Sequence, residues 1–207
     1  TLVYHMQAYL AQKGEYDPSA ENSFAPALCN RIDRNTGGIV IGAKNAQALR
    51  DMNARIKESK ISKKYLCAVH GKPSKNSHIL RDFLIKDAKT NTVRVLKEHK
   101  NGAKEIITKY EVLDYNSKLD ISLLEVELVT GRTHQIRAHL SHIGHPLLGD
   151  GKYGINKKDR EKGYKYQALY AYRLRFELGG QGEVLSYLDG KEFKLPESEI
   201  WFLKDFS

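Results

Sequence analysis

The chain has 207 residues, 41% of them hydrophobic, enough to build a sizeable core and too many for wholesale disorder. Its formal net charge is +9, which favours an anionic partner, nucleic acid before an acidic membrane surface. Cys29 and Cys67 sit in apolar stretches without CxxC spacing, which suits a reduced, cytoplasmic protein, and no apolar run approaches the length of a membrane span.

In chain order, Leu2, Val3, Met6 and Leu10 fall at helical spacing, with Gly14 as a stop, so residues 1–13 are expected to be helical. Residues 15–26 hold two prolines with Asn, Asp and Ser and read as a surface loop. Residues 39–43 read as a short buried strand. Asn45 is placed to cap a helix with Ala46, Leu49, Met52 and Ile56 on one face, ending near Lys60.

Strands then dominate. One covers residues 65–69 and closes at Gly71; residues 79–86 and 92–97 are expected to pair across a turn at 89–91. Residues 104–113 and 119–129 form two longer strands around Asn116-Ser117. Residues 133–143 read as a short helix ending at Gly144. Strands at 168–178 and 184–188 and a closing helix at 197–206 complete the pattern. Many neighbouring strands with few helices argue for an α+β fold with a mixed, mainly antiparallel sheet, a central cleft and flanking helices, and against a regular strand–helix alternation.

Three polar clusters carry the chemistry. Asn30-Arg31-Ile32-Asp33-Arg34-Asn35-Thr36-Gly37-Gly38 sets one carboxylate between two arginines, just before an apolar run. Alone, it has the composition of an ordinary turn. Lys63-Lys64-Tyr65-Leu66-Cys67-Ala68-Val69-His70-Gly71 puts a tyrosine beside two lysines on a strand, where it can serve as a platform for a nucleobase. Gly131-Arg132-Thr133-His134-Gln135-Ile136-Arg137-Ala138-His139-Leu140 follows a strand and opens a helix, a place suited to anions. His134, His139, His142 and His145 lack an HExxH pair, and no cysteine is near, so no metal site is expected. Asp150 reads either as a turn residue or as a helper that orients a neighbour.

Taken together, these segments, with Gly144-His145-Pro146-Leu147-Leu148-Gly149-Asp150 and less specifically Gln167-Ala168-Leu169-Tyr170-Ala171, resemble the RluA-like family of RNA pseudouridine synthases. The likeness runs in order and spacing from Ala27 to Phe176. The chain departs from the family pattern at Asn30, where His is usual, and at residues 35–38, where Asp-Thr-Ser-Gly is usual; neither touches Arg31 or Asp33. The family's first strand, with its Lys-Pro-x-Gly turn, and the small S4-type RNA-binding domain that often precedes it are not seen. The resemblance therefore implies that residues 1–207 are a pseudouridine synthase catalytic domain without those parts.

The resemblance implies isomerisation of uridine to pseudouridine without metal or cofactor. The expected target is large-subunit (23S) ribosomal RNA first and transfer RNA second, and a cytoplasmic monomer is expected. Asp33 is the implied catalytic carboxylate, either attacking the ribose C1′ or removing a ribose proton. Arg137 is its implied bidentate partner, and Tyr65 stacks on the detached uracil. Arg31 replaces the flipped base in the RNA, while Arg34, Lys63, Lys64, Arg132 and His134 are candidate RNA contacts. Two rivals remain at this stage: an RNA N-glycosidase, in which Asp150 must supply a second carboxylate, and a basic RNA-binding module without catalysis.

Overall fold

The computed structural model describes residues 1–20, 24–87, 90–154, 156–179 and 184–206. Residues 21–23 of the expected loop and Lys89 of the expected turn lie outside that set. The chain divides into two compact units, one of Thr1–Ile32, Ile39–Ser62 and Leu174–Phe193, the other of Asp33–Gly38, Lys63–Arg173 and Lys194–Ser207.

The smaller unit opens with helix α1 (Leu2–Gln12), after which Gly14 takes a left-handed φ of 69°. Strand β1 (Ala27–Leu28) pairs antiparallel with β3 (Gly42–Ala43). The strand expected over 39–43 is therefore confined to its last two residues. Its first part is diverted by a side chain: Asn30 Oδ1 accepts the Ile41 N–H at 2.7 Å, while the Cys29 N–H donates to the Ile41 carbonyl at 2.8 Å. Helix α2 (Ala46–Lys57) is capped as expected, Asn45 Oδ1 accepting from the Ala48 N–H at 2.8 Å. Met52 from α2 packs with Ile61, Leu174, Phe176, Leu178 and Leu185, and the half-buried Ile39 and Ile41 lie against them.

Two expectations fail at this end of the chain. Residues 184–188 are not a strand: Ser186–Leu188 is a 3-10 turn, because Leu185 and Leu188 enter the same core three residues apart, a helical spacing. The segment 197–206 is not one helix. It forms two 3-10 turns, Glu197–Glu199 and Leu203–Phe206, separated by an extended Ile200. There the buried residues are Ile200 and Phe202, which alternate as in a strand.

The larger unit is built on long antiparallel strands. These are β4 (Ile61–His70), whose first two residues belong to the smaller unit, then β5 (Ser77–Asp87), β6 (Thr92–Leu96), β7 (Lys104–Asn116) and β8 (Ile121–Leu128). Strand β9 (Leu169–Phe176), whose last three residues belong to the smaller unit, and the short β10 (Glu192–Lys194), whose first two do, follow. The sheet order is β10, β9, β4, β8, β7, β5, β6. Asn91, with φ at 50°, turns the chain between β5 and β6. Register decides what each face carries. Tyr65 lies opposite Val126, which lies opposite Tyr110, and Cys67 lies opposite Leu124, so these side chains share one face. Helix α3 (Gln135–His142) covers that face: Ala138 packs with Ile106, Leu84 and Val93. On the opposite face Leu66, Ala68, Ile121 and Leu123 pack with Ile200 and Phe202. A further short helix, α4 (Asn156–Glu161), carries no sequence signal strong enough to announce it. The fold is thus α+β around a mixed, mainly antiparallel sheet.

The parallel element is small and consequential. Strand β2 (Gly37–Gly38) pairs with β9, Gly37 opposite Tyr170 and Gly38 opposite Ala171. A Cβ on Gly37 would strike the Tyr170 ring, and one on Gly38 would run into the Ala171 backbone; Gly38 also has φ at 119°, in the region that favours glycine. Gly38→Ala is expected to destabilise the protein by about 3 kcal/mol or more, because backbone cannot give way as a side chain tip can. Chemical denaturation of the variant checks this, and an unchanged midpoint would refute it.

Candidate active site

Asp33, Tyr65 and Arg137 all belong to the larger unit. The loop that carries Asp33 is fixed from several sides. The Thr36 N–H donates to the Asp33 carbonyl at 3.0 Å, and Asn35 turns the chain with φ at 66°. The buried Gln167 amide donates to the Arg34 carbonyl at 2.6 Å and to Thr36 Oγ1 at 3.2 Å. Together with the β2–β9 pairing, these bonds set the position of the carboxylate.

Arg137 projects from the first turn of α3 and is buried. Its Nε and Nη2 donate to the two oxygens of Asp150 at 2.7 and 2.8 Å, and its Nη1 donates to Asp33 Oδ2 at 3.3 Å. The resemblance implies a bidentate pair between Arg137 and Asp33; instead the fork belongs to Asp150, and Asp33 receives a single, longer bond. The reason lies in Asp150, which is wholly buried and also accepts from the backbone N–H groups of Lys152 and Tyr153 at 2.8 and 3.1 Å. Burial pushes the Asp150 carboxyl up, but the arginine and the two N–H groups outweigh it and hold it below the usual carboxylate range. Burial disfavours the Arg137 charge, yet the two carboxylates leave the guanidinium more basic than usual. Asp150 is therefore both the turn residue and the orienting helper.

This arrangement gives the two carboxylates different tasks. Both oxygens of Asp150 accept hydrogen bonds and the residue is wholly buried, so it is not placed to serve as an acid or base toward a substrate. Asp33 keeps Oδ1 clear of hydrogen bonds among the described residues, and its side chain is 17% exposed. One anchored oxygen fixes direction and one open oxygen can react.

Tyr65 is buried in the centre of β4, and burial together with the Asp33 charge pushes its phenol up to about 12. Lys63 shares its sheet face by strand alternation. Burial lowers the Lys63 ammonium, and no carboxylate lies within ion-pair reach among the described residues. Lys64 points the other way and pairs with Glu125, which also accepts from the Tyr172 hydroxyl. Its place beside Tyr65 in sequence puts it on the opposite face, away from Tyr65. Arg34 and Arg132 are exposed and free of ion pairs among the described residues. Arg31 is an exposed residue of the smaller unit, likewise without an ion pair.

The dense polar character of residues 130–139 is largely structural. Gln135 accepts from Thr130 Oγ1 and the Arg132 N–H and donates to the Ile107 carbonyl and Thr108 Oγ1. His139, fully buried, bridges Thr108 Oγ1 at 2.9 Å and Asp82 at 3.0 Å. Among the described residues no group of three or more His, Cys, Asp or Glu side chains is disposed to hold a metal ion. His134 stands apart from this network. It caps α3 in a left-handed conformation, φ 52°, a strain of about 1–2 kcal/mol for a residue with a Cβ, and its Nδ1 lies 2.8 Å from the Tyr153 hydroxyl. Tyr153 also lies under the Arg137 guanidinium, 5.3 Å from its ring centre.

The chain is similar in sequence and fold to known proteins. The family model for RNA pseudouridylate synthase matches residues 5–142. The chain belongs to the RNA pseudouridylate synthase family. An uncharacterised RNA pseudouridine synthase of Mycoplasma pneumoniae is 42% identical over 155 residues, covering 74% of this chain and 47% of the relative. A ribosomal large subunit pseudouridine synthase C of Haemophilus influenzae is 32% identical over 163 residues, 77% of this chain and 50% of that protein. The chain spans about half the length of these curated relatives. Among solved structures, human RNA pseudouridylate synthase domain containing 1 superposes with a TM-score of 0.65 at 26% identity, covering 86% of this chain and 80% of that one. Human RNA pseudouridylate synthase domain containing 4 gives 0.73 at 19% identity, covering 98% and 82%, a likeness of fold alone.

Sequence reasoning passes over Tyr153 and Gln167 as site residues. Gln167 sits in a segment already noted for its family likeness, so a signal for it existed. Tyr153 follows Asp150 by one turn, but nothing in a Gly-Asp-Gly-Lys-Tyr stretch indicates that its hydroxyl reaches His134 and Val93.

Proposed function

We propose that this chain isomerises uridine to pseudouridine in RNA, with Asp33 as the reacting carboxylate. The observation that carries the reading is the Asp33–Arg137–Asp150 arrangement, one open carboxylate oxygen held by an arginine that a second, sealed carboxylate orients. In the reaction the bond from ribose C1′ to uracil N1 breaks, the base turns, and C1′ joins C5. The C5 hydrogen leaves as a proton and N1 gains one, so atoms and electrons balance without a cofactor. Asp33 Oδ1 serves either by attack at C1′ or by taking a ribose proton. Arg137 keeps Asp33 ionised and aimed as the site loses water.

The N-glycosidase alternative needs a second working carboxylate. Asp150 was the candidate, and its oxygens are both engaged, so isomerisation is the better supported outcome. Retention of Asp33, Tyr65 and Arg137 in one site likewise favours an enzyme over a passive RNA-binding module.

Tyr65 supplies a surface for the freed uracil. With its phenol pushed up to about 12, it is protonated at neutral pH, so it can take the C5 proton only after handing its own proton to the uracil, whose N1 gains one. Tyr65→Phe is expected to slow release of tritium from C5-labelled uridine by about 10²-fold or more in single-turnover assays, with RNA affinity within about twofold. A wild-type rate in this variant would confine Tyr65 to stacking.

Arg31 is assigned to the gap left by the flipped base, and Arg34, Arg132 and Lys63 to phosphates. Lys64, held by Glu125 on the other sheet face, is not assigned to them. The relatives named for the large ribosomal subunit support ribosomal RNA as the target, with transfer RNA second. One chain carries Asp33, Tyr65 and Arg137 together, so a monomer suffices. Two free thiols accord with a cytoplasmic setting. Mapping pseudouridines in total RNA from cells with and without the gene tests the target. Loss of a large-subunit site is expected, and an unchanged map would reject the reading.

A further inference from the structure

Tyr153 has a place in the site that the reaction as described does not use. Its hydroxyl accepts the Val93 backbone N–H at 2.9 Å and lies 2.8 Å from His134 Nδ1. Val93 takes one lone pair of the oxygen, and the phenolic hydrogen then needs an acceptor. Among the described residues His134 Nδ1 is the one within reach. Burial raises the Tyr153 phenol, so it keeps that hydrogen at neutral pH. With Nδ1 accepting, the imidazole must carry its own hydrogen on Nε2.

We propose that Tyr153 is a positioning residue that holds His134 as the neutral Nε2–H tautomer, so that His134 donates a hydrogen bond to an acceptor oxygen of the RNA nucleotide bound at Asp33. This rests on the pseudouridine synthase reading for the identity of the ligand. The geometry of Tyr153 gives the device its precision. Its backbone N–H donates to Asp150, its carbonyl accepts from Ser141 Oγ, and its ring meets the His134 imidazole edge-on at 5.7 Å. One side chain thereby ties His134 to the same Asp150 that aims Arg137.

Neutrality matters because of the charges around His134: Asp33 and Asp150 favour its protonation, Arg137 and Lys152 oppose it, and Tyr153 hydrogen-bonds to it. Burial is the largest influence and lowers the imidazole below its ordinary value. An imidazolium here would compete with Arg137 for Asp33 and occupy the oxygen that must react. The tyrosine donor and burial act together against that charge. Removing the donor lets the proton on more readily, so the histidine titrates at higher pH and the acid side of the rate profile moves up with it.

The test uses the whole chain. In ¹⁵N-resolved spectra of the imidazole, wild-type His134 is expected as the Nε2–H tautomer at neutral pH, and in Tyr153→Phe its titration should move up by about half a unit or more. An Nδ1–H tautomer in the wild type, or an unmoved titration in Tyr153→Phe, overturns the proposal. In turnover assays the acid limb of kcat/KM should rise in Tyr153→Phe, and His134→Gln, which keeps a neutral donor, should retain about tenfold more activity than His134→Ala. Equal activities of the two His134 variants would also overturn it, whereas a merely structural role for Tyr153 would lower the unfolding midpoint and leave the acid limb in place. A wild-type chain that forms no pseudouridine would reject the proposed function itself, a result separable from the spectra.

Discussion

Asparagine in place of Asp33 is expected to reduce pseudouridine formation by at least about 10³-fold while RNA affinity stays within about threefold, because the amide has neither the nucleophilicity nor the basicity of the carboxylate. The substitution keeps the size of the side chain and an oxygen that can still accept from Arg137 Nη1. Affinity is expected to hold because phosphate contacts dominate binding to nucleic acid, and those are assigned to Arg34, Arg132 and Lys63. Parallel measurement of tritium release and filter binding separates the two quantities. A parallel fall in affinity and rate would mean that Asp33 holds the fold of the loop instead of acting in the chemistry. The bonds from Gln167 to the Arg34 carbonyl and to Thr36, which do not involve the Asp33 side chain, argue against that outcome.

Removal of Arg137 has the second largest expected effect, and it differs in kind. Arg137→Ala strands Asp150, which is fully buried, with two backbone N–H groups as its remaining partners among the described residues. Breaking a buried pair on one side destabilises by about 3–5 kcal/mol, so this variant is expected to lose both activity and a large part of its stability. Arg137→Met combined with Asp150→Leu removes both charges and is expected to recover most of the stability and none of the activity. That contrast assigns the stability loss to the orphaned carboxylate and the activity loss to the missing guanidinium. Equal stability in the single and double variants would contradict the assignment.

The same pair fixes the direction of a pH effect. Arg137 holds the folded-state Asp150 carboxyl below its ordinary value, so the unfolded chain binds the proton first. The contribution is complete above the unfolded carboxylate range near pH 4 and fades as pH falls through the lower folded value. Urea midpoints taken across acid pH should therefore fall more steeply for the wild type than for the Arg137→Met, Asp150→Leu protein.

Much of the fold could be read from the chain because local pattern and tertiary demand agree. The alternation in residues 121–128 and the Asn45 cap both specify their elements within a few residues. The failures occur where a short apolar run has two readings. Leu185 and Leu188 suited either a strand or a helical turn, and only the packing around Phe176 decides between them. Ile200 and Phe202 sit in a stretch with helical composition, yet their burial on one side of the sheet demands an extended step. For the site, the residue identities were legible and their pairing was not. The family resemblance pairs Arg137 with Asp33, whereas the fork is taken by Asp150, thirteen residues along the chain. Which carboxylate an arginine grips depends on which is buried, and burial of a single aspartate in a Gly-rich turn leaves no periodic trace. Lys64 shows the converse, since adjacency to Tyr65 in sequence means opposite faces on a strand.

The decisive assay is nucleoside chromatography of large-subunit ribosomal RNA after incubation with the purified chain. Pseudouridine should appear at the expense of uridine in equal amount, without free uracil, and should not appear with Asp33→Asn. Release of free uracil, or pseudouridine formed equally well by Asp33→Asn, would contradict isomerisation through Asp33.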